Sequence, residues 1–120
     1  DFFNTLDSII SNGRIIVAVP NFNAFEKKYF KDEWAAYDIP RHLYHFDPTT
    51  LEKLFHIKGY SAIAKKRMIL DTIYISFLSR KTANIGYIKT LWIALLSIIK
   101  VLYNGADSSS SLLYVFEKHY

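Results

Sequence analysis

A chain of 120 residues, 51% hydrophobic and 22% charged, holds enough apolar material for one packed domain, which sets aside intrinsic disorder and a second domain. It has no cysteine, so a disulfide framework, a thiolate zinc site and a cysteine nucleophile are excluded; a reducing cytoplasm fits this composition. The net charge of +4 is scattered, with Lys65, Lys66 and Arg67 the densest group, and reads as a solvated edge rather than a nucleic-acid surface.

The opening Asp1 and Phe2, without methionine, basic leader or signal-peptide pattern, reads as the interior of a longer polypeptide. Phe2, Phe3, Leu6, Ile9 and Ile10 recur at three- and four-residue spacing, predicting a helix that ends at Asn12 and Gly13, with Gly13 free to turn left-handed. The unalternating run Ile15 to Val19 predicts a strand buried on both faces, stopping at Pro20 and Asn21. Phe22, Phe25, Tyr29 and Phe30 predict a short amphipathic cover, with Glu26, Lys27 and Lys28 mostly on its other side.

Asp47-Pro48 is a helix start, because aspartate caps free amides and proline is pre-set for the first helical position. Leu51, Leu54 and Phe55 give its buried stripe, Gly59 ends it, and Tyr60 is placed to touch Phe55 across the turn. Residues 61–70 read as an edge strand, since Lys65 to Arg67 are too charged for a sheet centre. Residues 71–104 predict two helices broken around Arg80 to Gly86, the second with a wide apolar face of Ile88, Leu91, Trp92, Leu95, Ile98, Ile99 and Leu102. Lys89 and Lys100 interrupt that helix and argue against a membrane span. The stretch G-A-D-S-S-S-S predicts a flexible return loop into a last strand over Ser111 to Lys118.

Taken in order, the N-G-R turn, the V-A-V-P-N strand end, the segment W-A-A-Y-D-I-P-R-H-L-Y-H-F, the capped helix T-L-E-K-L-F and K-G-Y resemble the carboxyl-terminal half of class I S-adenosylmethionine-dependent methyltransferases of the small-molecule group. The resemblance implies an α/β fold, half of a Rossmann-like sheet. Residues 14–19 then correspond to strand 5, 61–70 to strand 6 and 112–118 to an antiparallel strand 7 lying between them, with 71–104 as a helical insertion between strands 6 and 7. It implies a small-molecule acceptor. It also implies S-adenosylmethionine as cofactor, held mainly by an amino-terminal half that these 120 residues do not include, since the family's glycine-rich loop and ribose-binding acidic residue are both missing from the sequence. The chain alone is therefore expected to be inactive.

The segment from Trp34 to Phe46 concentrates the candidate site residues, just beyond the carboxyl end of a strand, where open α/β sheets bind ligands. His42 and His45 are candidates for the general base, a histidine with an ordinary pKa of about 6.5 suiting proton removal at neutral pH. As an isolated H-x-x-H they fall short of a zinc ligand set. Arg41 offers a planar fork for an acceptor carboxylate or phosphate, or a salt bridge to Asp38 or Asp47. Asn21 orients a polar substrate group or caps the next helix, and Trp34, Tyr37, Tyr44 and Phe46 line an acceptor pocket or anchor the loop. The apolar face of the insertion has three readings: a cap over the pocket, a homodimer surface, or an in-plane contact that makes the protein peripheral to a membrane. The competing functional class is a non-catalytic α/β interaction module.

Overall fold

A computed structural model describes residues 1–10 and 13–119. Three strands, β1 (Arg14–Pro20), β2 (Tyr60–Lys66) and β3 (Ser111–Lys118), form one sheet in the order β1-β3-β2. The last strand thus lies between the other two and runs antiparallel to both, in the position expected of it. Val17 faces Tyr114 across one ladder, and a bulge between Ala62 and Ala64 shifts the register of the other.

The sheet is covered on one face by α1 (Phe2–Ile9) and α3 (Pro48–Ile57). Leu112, Tyr114 and Phe116 alternate into that layer, where Phe55 stacks on Phe116 with ring centroids 4.0 Å apart and Phe3 meets Phe55 edge to face. Asp7 fixes α1 by accepting from Tyr60 Oη at 2.5 Å and pairing with Lys118 at 2.7 Å. These bonds, Lys118's first, hold the Asp7 carboxyl below its ordinary range, and burial with the Asp7 bond pushes Tyr60 up to about 12. Asp47 caps α3 as expected, its Oδ1 accepting from Thr50 N at 2.7 Å; Gly59, at φ +86°, ends the turn and sets Tyr60 against Phe55.

One-sided cover corrects the expectation for β1. Ile15 is buried, but Ile16 is 71% exposed, because α1 and α3 pack against the other face and β1 is an edge of the sheet. The predicted helix end at Asn12 lies outside the described residues; α1 itself stops at Ile9, and Gly13 is not left-handed. Phe2 and Ile9 turn to solvent, so the buried stripe narrows to Phe3 with Leu6 and Ile10 beside it. Strand β2 stops at Lys66, earlier than the expected limit, and occupies an edge.

Lys65 reaches back from that edge to Glu52 at 2.9 Å and Asp107 at 2.6 Å, and Tyr114 Oη donates to the same Glu52. Burial opposes the Lys65 charge, yet the bonds to Asp107, Tyr114 and Glu52 outweigh it and raise its pKa. Tyr114 is pushed up to about 12 by burial and by its bond to Glu52. The expected break between two late helices falls at Asn84, whose left-handed φ of 52° separates α4 (Ile69–Ala83) from α5 (Tyr87–Asn104). The serine-rich return is a built turn: Gly105–Ser108 form a 3-10 helix, and Ser109 and Ser110 are wholly buried.

Because the core rests on one face of β3, Phe116→Ala is expected to lower stability by about 3–5 kcal/mol in urea denaturation. Ile16→Ala, on the open face, is expected to stay within about 0.5 kcal/mol.

Candidate functional site

The carboxyl end of β1 is held by side-chain bonds to the passing backbone. Asn21 is fully buried; its Nδ2 donates to the carbonyls of Asp107 and Ser109, both at 2.8 Å, and its Oδ1 accepts from Asn23 N at 2.9 Å. Every polar atom of that amide is therefore committed to folding the chain. Its backbone also bridges Phe46, bringing the two ends of the 21–46 excursion together.

Within that excursion only Lys27–Phe30 is α-helical (α2), and Glu26, expected on the outer side, is wholly buried. Its Oε1 accepts from Trp34 Nε1 at 3.1 Å and from Ser110 Oγ, while Oε2 has no partner. Burial raises the Glu26 pKa, against the opposing effect of the Ser110 and Trp34 bonds. The tie to Trp34 starts the next stretch, a 3-10 turn over Ala35–Tyr37 that α4 clamps: Ser79 Oγ accepts from Ala35 N at 2.8 Å and donates to Ile75 O at 2.7 Å.

After this turn Asp38 adopts a left-handed conformation, at φ 44° and ψ 46°. One carboxylate oxygen, Oδ1, accepts from Arg41 Nε at 3.0 Å, and the other stands 3.7 Å from His42 Nε2. These three side chains line a cleft of about 400 Å³ between Ala18 to Pro20 of β1 and the first half of α4. The α4 wall contributes Asp71, whose Oδ2 accepts from Ser111 Oγ, and Tyr74. The cleft thus combines an imidazole, a guanidinium and two carboxylates with an apolar floor at the end of a strand, a setting in which a small polar molecule can be oriented and a proton moved.

Of the candidates from the sequence, Arg41 and His42 line this cleft. His45 turns away, its Nε2 lying 2.9 Å from the carbonyl of Tyr37 and its ring edge-on to the Tyr37 ring. Trp34 is buried against Glu26 and Tyr37, Asn21 is consumed by backbone bonds, Phe46 packs beside the sheet core, and Tyr44 is exposed. Sequence pattern does not single out Asp71, Tyr74 or Ser111. Asp71 carries a usable signal, being the only acidic residue between Glu52 and Asp107 and falling at the start of an apolar helix. Among the described residues, no three histidine, aspartate or glutamate side chains are grouped to hold a metal ion.

Compared with protein-family models, with curated proteins and with solved structures, the chain matches none.

The raised Glu26 pKa has a definite sign in stability. The folded state holds this proton more tightly than the unfolded chain, so the benefit is full below the unfolded carboxyl's range and is lost as pH rises through the folded pKa. Glu26→Gln keeps an oxygen for Trp34 and Ser110 without that proton. Its melting temperature relative to the wild-type chain is expected to climb between pH 4 and pH 8, as thermal melts followed by circular dichroism will read.

Proposed function

We propose that this chain is the acceptor-side half of a class I S-adenosylmethionine-dependent methyltransferase acting on a small molecule, with β1, β3 and β2 as strands 5, 7 and 6 of its Rossmann-like sheet. The observation that carries the reading is the cleft at the carboxyl end of β1, into which Asp38, Arg41, His42 and Asp71 converge. The order β1-β3-β2, with an antiparallel centre, is consistent with it.

The residues present do not fit the methyl donor itself. Among the described residues no glycine lines the cleft, and Gly59 and Gly105 serve turns at positive φ. Donor binding is accordingly assigned to another polypeptide segment, and this chain's share is the acceptor. His42 is the general base: with Nε2 directed toward Asp38, Nδ1 is the nitrogen left to take the acceptor's proton. Arg41 is largely exposed beyond Asp38 and can release that carboxylate for an anionic group on the acceptor. Asp71, on the opposite wall, accepts a hydrogen bond from the acceptor or orients it through Ser111. Alignment of this kind contributes much of what an in-line displacement requires. An interaction module would account for the open edge of β1, but gives no reason for four ionisable side chains to meet in one cleft.

Two measurements test the reading. Titration calorimetry of this chain with S-adenosylmethionine is expected to show no micromolar binding. In the polypeptide that carries both halves, transfer of labelled methyl to a small-molecule extract is expected, and His42→Ala is expected to slow it about 100-fold or more, whereas His56→Ala, outside the cleft, leaves it unchanged. Undiminished transfer by the His42 variant overturns the assignment of the base.

A further inference from the structure

The α4–α5 hairpin has inverted polarity. On α5 the inward residues are Thr90, Ile93, Ala94, Ser97 and Val101. The exposed ones include Ile88, Leu91, Trp92, Leu95, Ile99 and Leu102, with Trp92 60% exposed. At 3.6 residues per turn this outward set falls within an arc of about 100°. On α4, Thr72, Ile75, Ser76 and Ser79 face inward; Leu70 is exposed, and Tyr74 and Leu78, also exposed, line the cleft. The hydroxyls of Thr72, Ser79, Thr90 and Ser97 each donate to the carbonyl four residues earlier, so these inward polar groups are satisfied along their own helices; Ile75 and Ile93 pack in the same layer, and Ser76 Oγ has no partner. A surface helix in water turns its large apolar residues inward. Helices in contact with lipid pack through small residues and turn the large ones outward.

The charges agree with this pattern. No aspartate or glutamate occurs between Asp71 and Asp107, while Arg80, Lys81, Lys89 and Lys100 do. Lys89 and Lys100 are eleven residues apart, close to three turns, and so share one border of the apolar face. Lys100 Nζ and Lys28 Nζ of α2 both stand over the Phe25 ring, at 5.9 and 3.9 Å, which extends the basic border onto the neighbouring element.

We propose that the outer face of this hairpin docks in plane on an anionic lipid bilayer. Leu91, Trp92, Leu95 and Ile99 enter the acyl boundary, and Lys28, Lys89 and Lys100 lie among the headgroups. The stretch Tyr87–Ser108 is long and apolar enough by composition to cross a bilayer, and only 28% of an apolar 18-residue part of it is buried in the fold. One feature favours lying over crossing: Lys89 and Lys100 occupy one side of the helix rather than flanking it all round. Charge also disfavours a second copy as the occupant. Antiparallel two-fold pairing of α5 sets Lys89 of one chain beside Lys100 of the other, with no acidic residue on either helix to offset them. This inference is independent of methyl transfer.

Sedimentation of the chain with phosphatidylcholine vesicles, with and without phosphatidylglycerol, tests it. Binding is expected mainly to the anionic vesicles, with a blue shift in tryptophan emission from Trp92. Leu91→Glu combined with Leu95→Glu is expected to abolish it. Lys89→Gln combined with Lys100→Gln is expected to weaken it about thirtyfold, at roughly 1 kcal/mol per cation. Circular dichroism checks that each variant keeps its fold; should the glutamate pair unfold, the glutamine pair decides. No pelleting with either vesicle overturns the proposal. So does undiminished pelleting of the variants, or a concentration-dependent dimer that the glutamate pair dissolves in a chain that ignores vesicles.

Discussion

The structure depends on the last strand reaching the middle of the sheet. Because β3 is antiparallel to both neighbours, its first residues lie at the carboxyl ends of β1 and β2, with Ser111 opposite Pro20 and Leu113 opposite Lys66. Residues 105–110 must then cross the rim where the cleft forms, and Ala106, Ser109 and Ser110 go under cover as they do so. Buried carbonyls need donors, and Asn21 supplies two of them from a single amide. The strand end and the return to β3 are thereby one unit, and neither can shift without leaving polar groups unpaired.

Glu26 extends that unit to the cleft. A buried carboxyl group is costly unless its bonds are made, and here one oxygen serves Trp34 and Ser110 while the other is left unpaired. The compensation is positional. Trp34, tied to the rim, fixes the start of the turn that Ser79 clamps from α4, and that turn delivers Asp38 and then His42 to the cleft. Asp38 is consequently over-determined: its backbone is left-handed, and its carboxylate is divided between Arg41 and the direction of His42.

The parts of this fold most legible in the sequence are those where local chemistry and tertiary contact agree. Asp47-Pro48 and Gly59 bracket α3 because capping and left-handed turns are local events, and the lysines of 61–70 mark an edge because sheet centres exclude charge. The apolar run Ile15 to Val19 reads as doubly buried since hydrophobicity records what a strand tolerates, not which neighbours it has. In the candidate site, Arg41 and His42 are legible from their density beside a strand end. The turn of His45 toward the Tyr37 carbonyl is not, because residues three apart share a face only in a regular helix and this segment is not one. Glu26 misleads for a related reason: helical periodicity sends it to solvent, but the helix begins only after it, and its side chain is claimed by Ser110, 84 residues away in sequence.

Two apolar surfaces are left open, and they make different physical demands. Along β1 the uncovered face carries Ile16 and Ala18, and the strand also presents an edge with backbone donors and acceptors that the sheet does not use. Water or another strand satisfies such an edge, whereas neither lipid nor an apolar side chain pairs with a free N–H. On α5 every backbone group inside the helix is already bonded, so its outer side chains require nothing more than an apolar surrounding. The edge at β1 and the outer face of α5 therefore differ in kind: the first offers backbone hydrogen bonds, the second apolar area alone. The cleft lies between β1 and α4, and so separates the open edge of the sheet from the outer face of the hairpin.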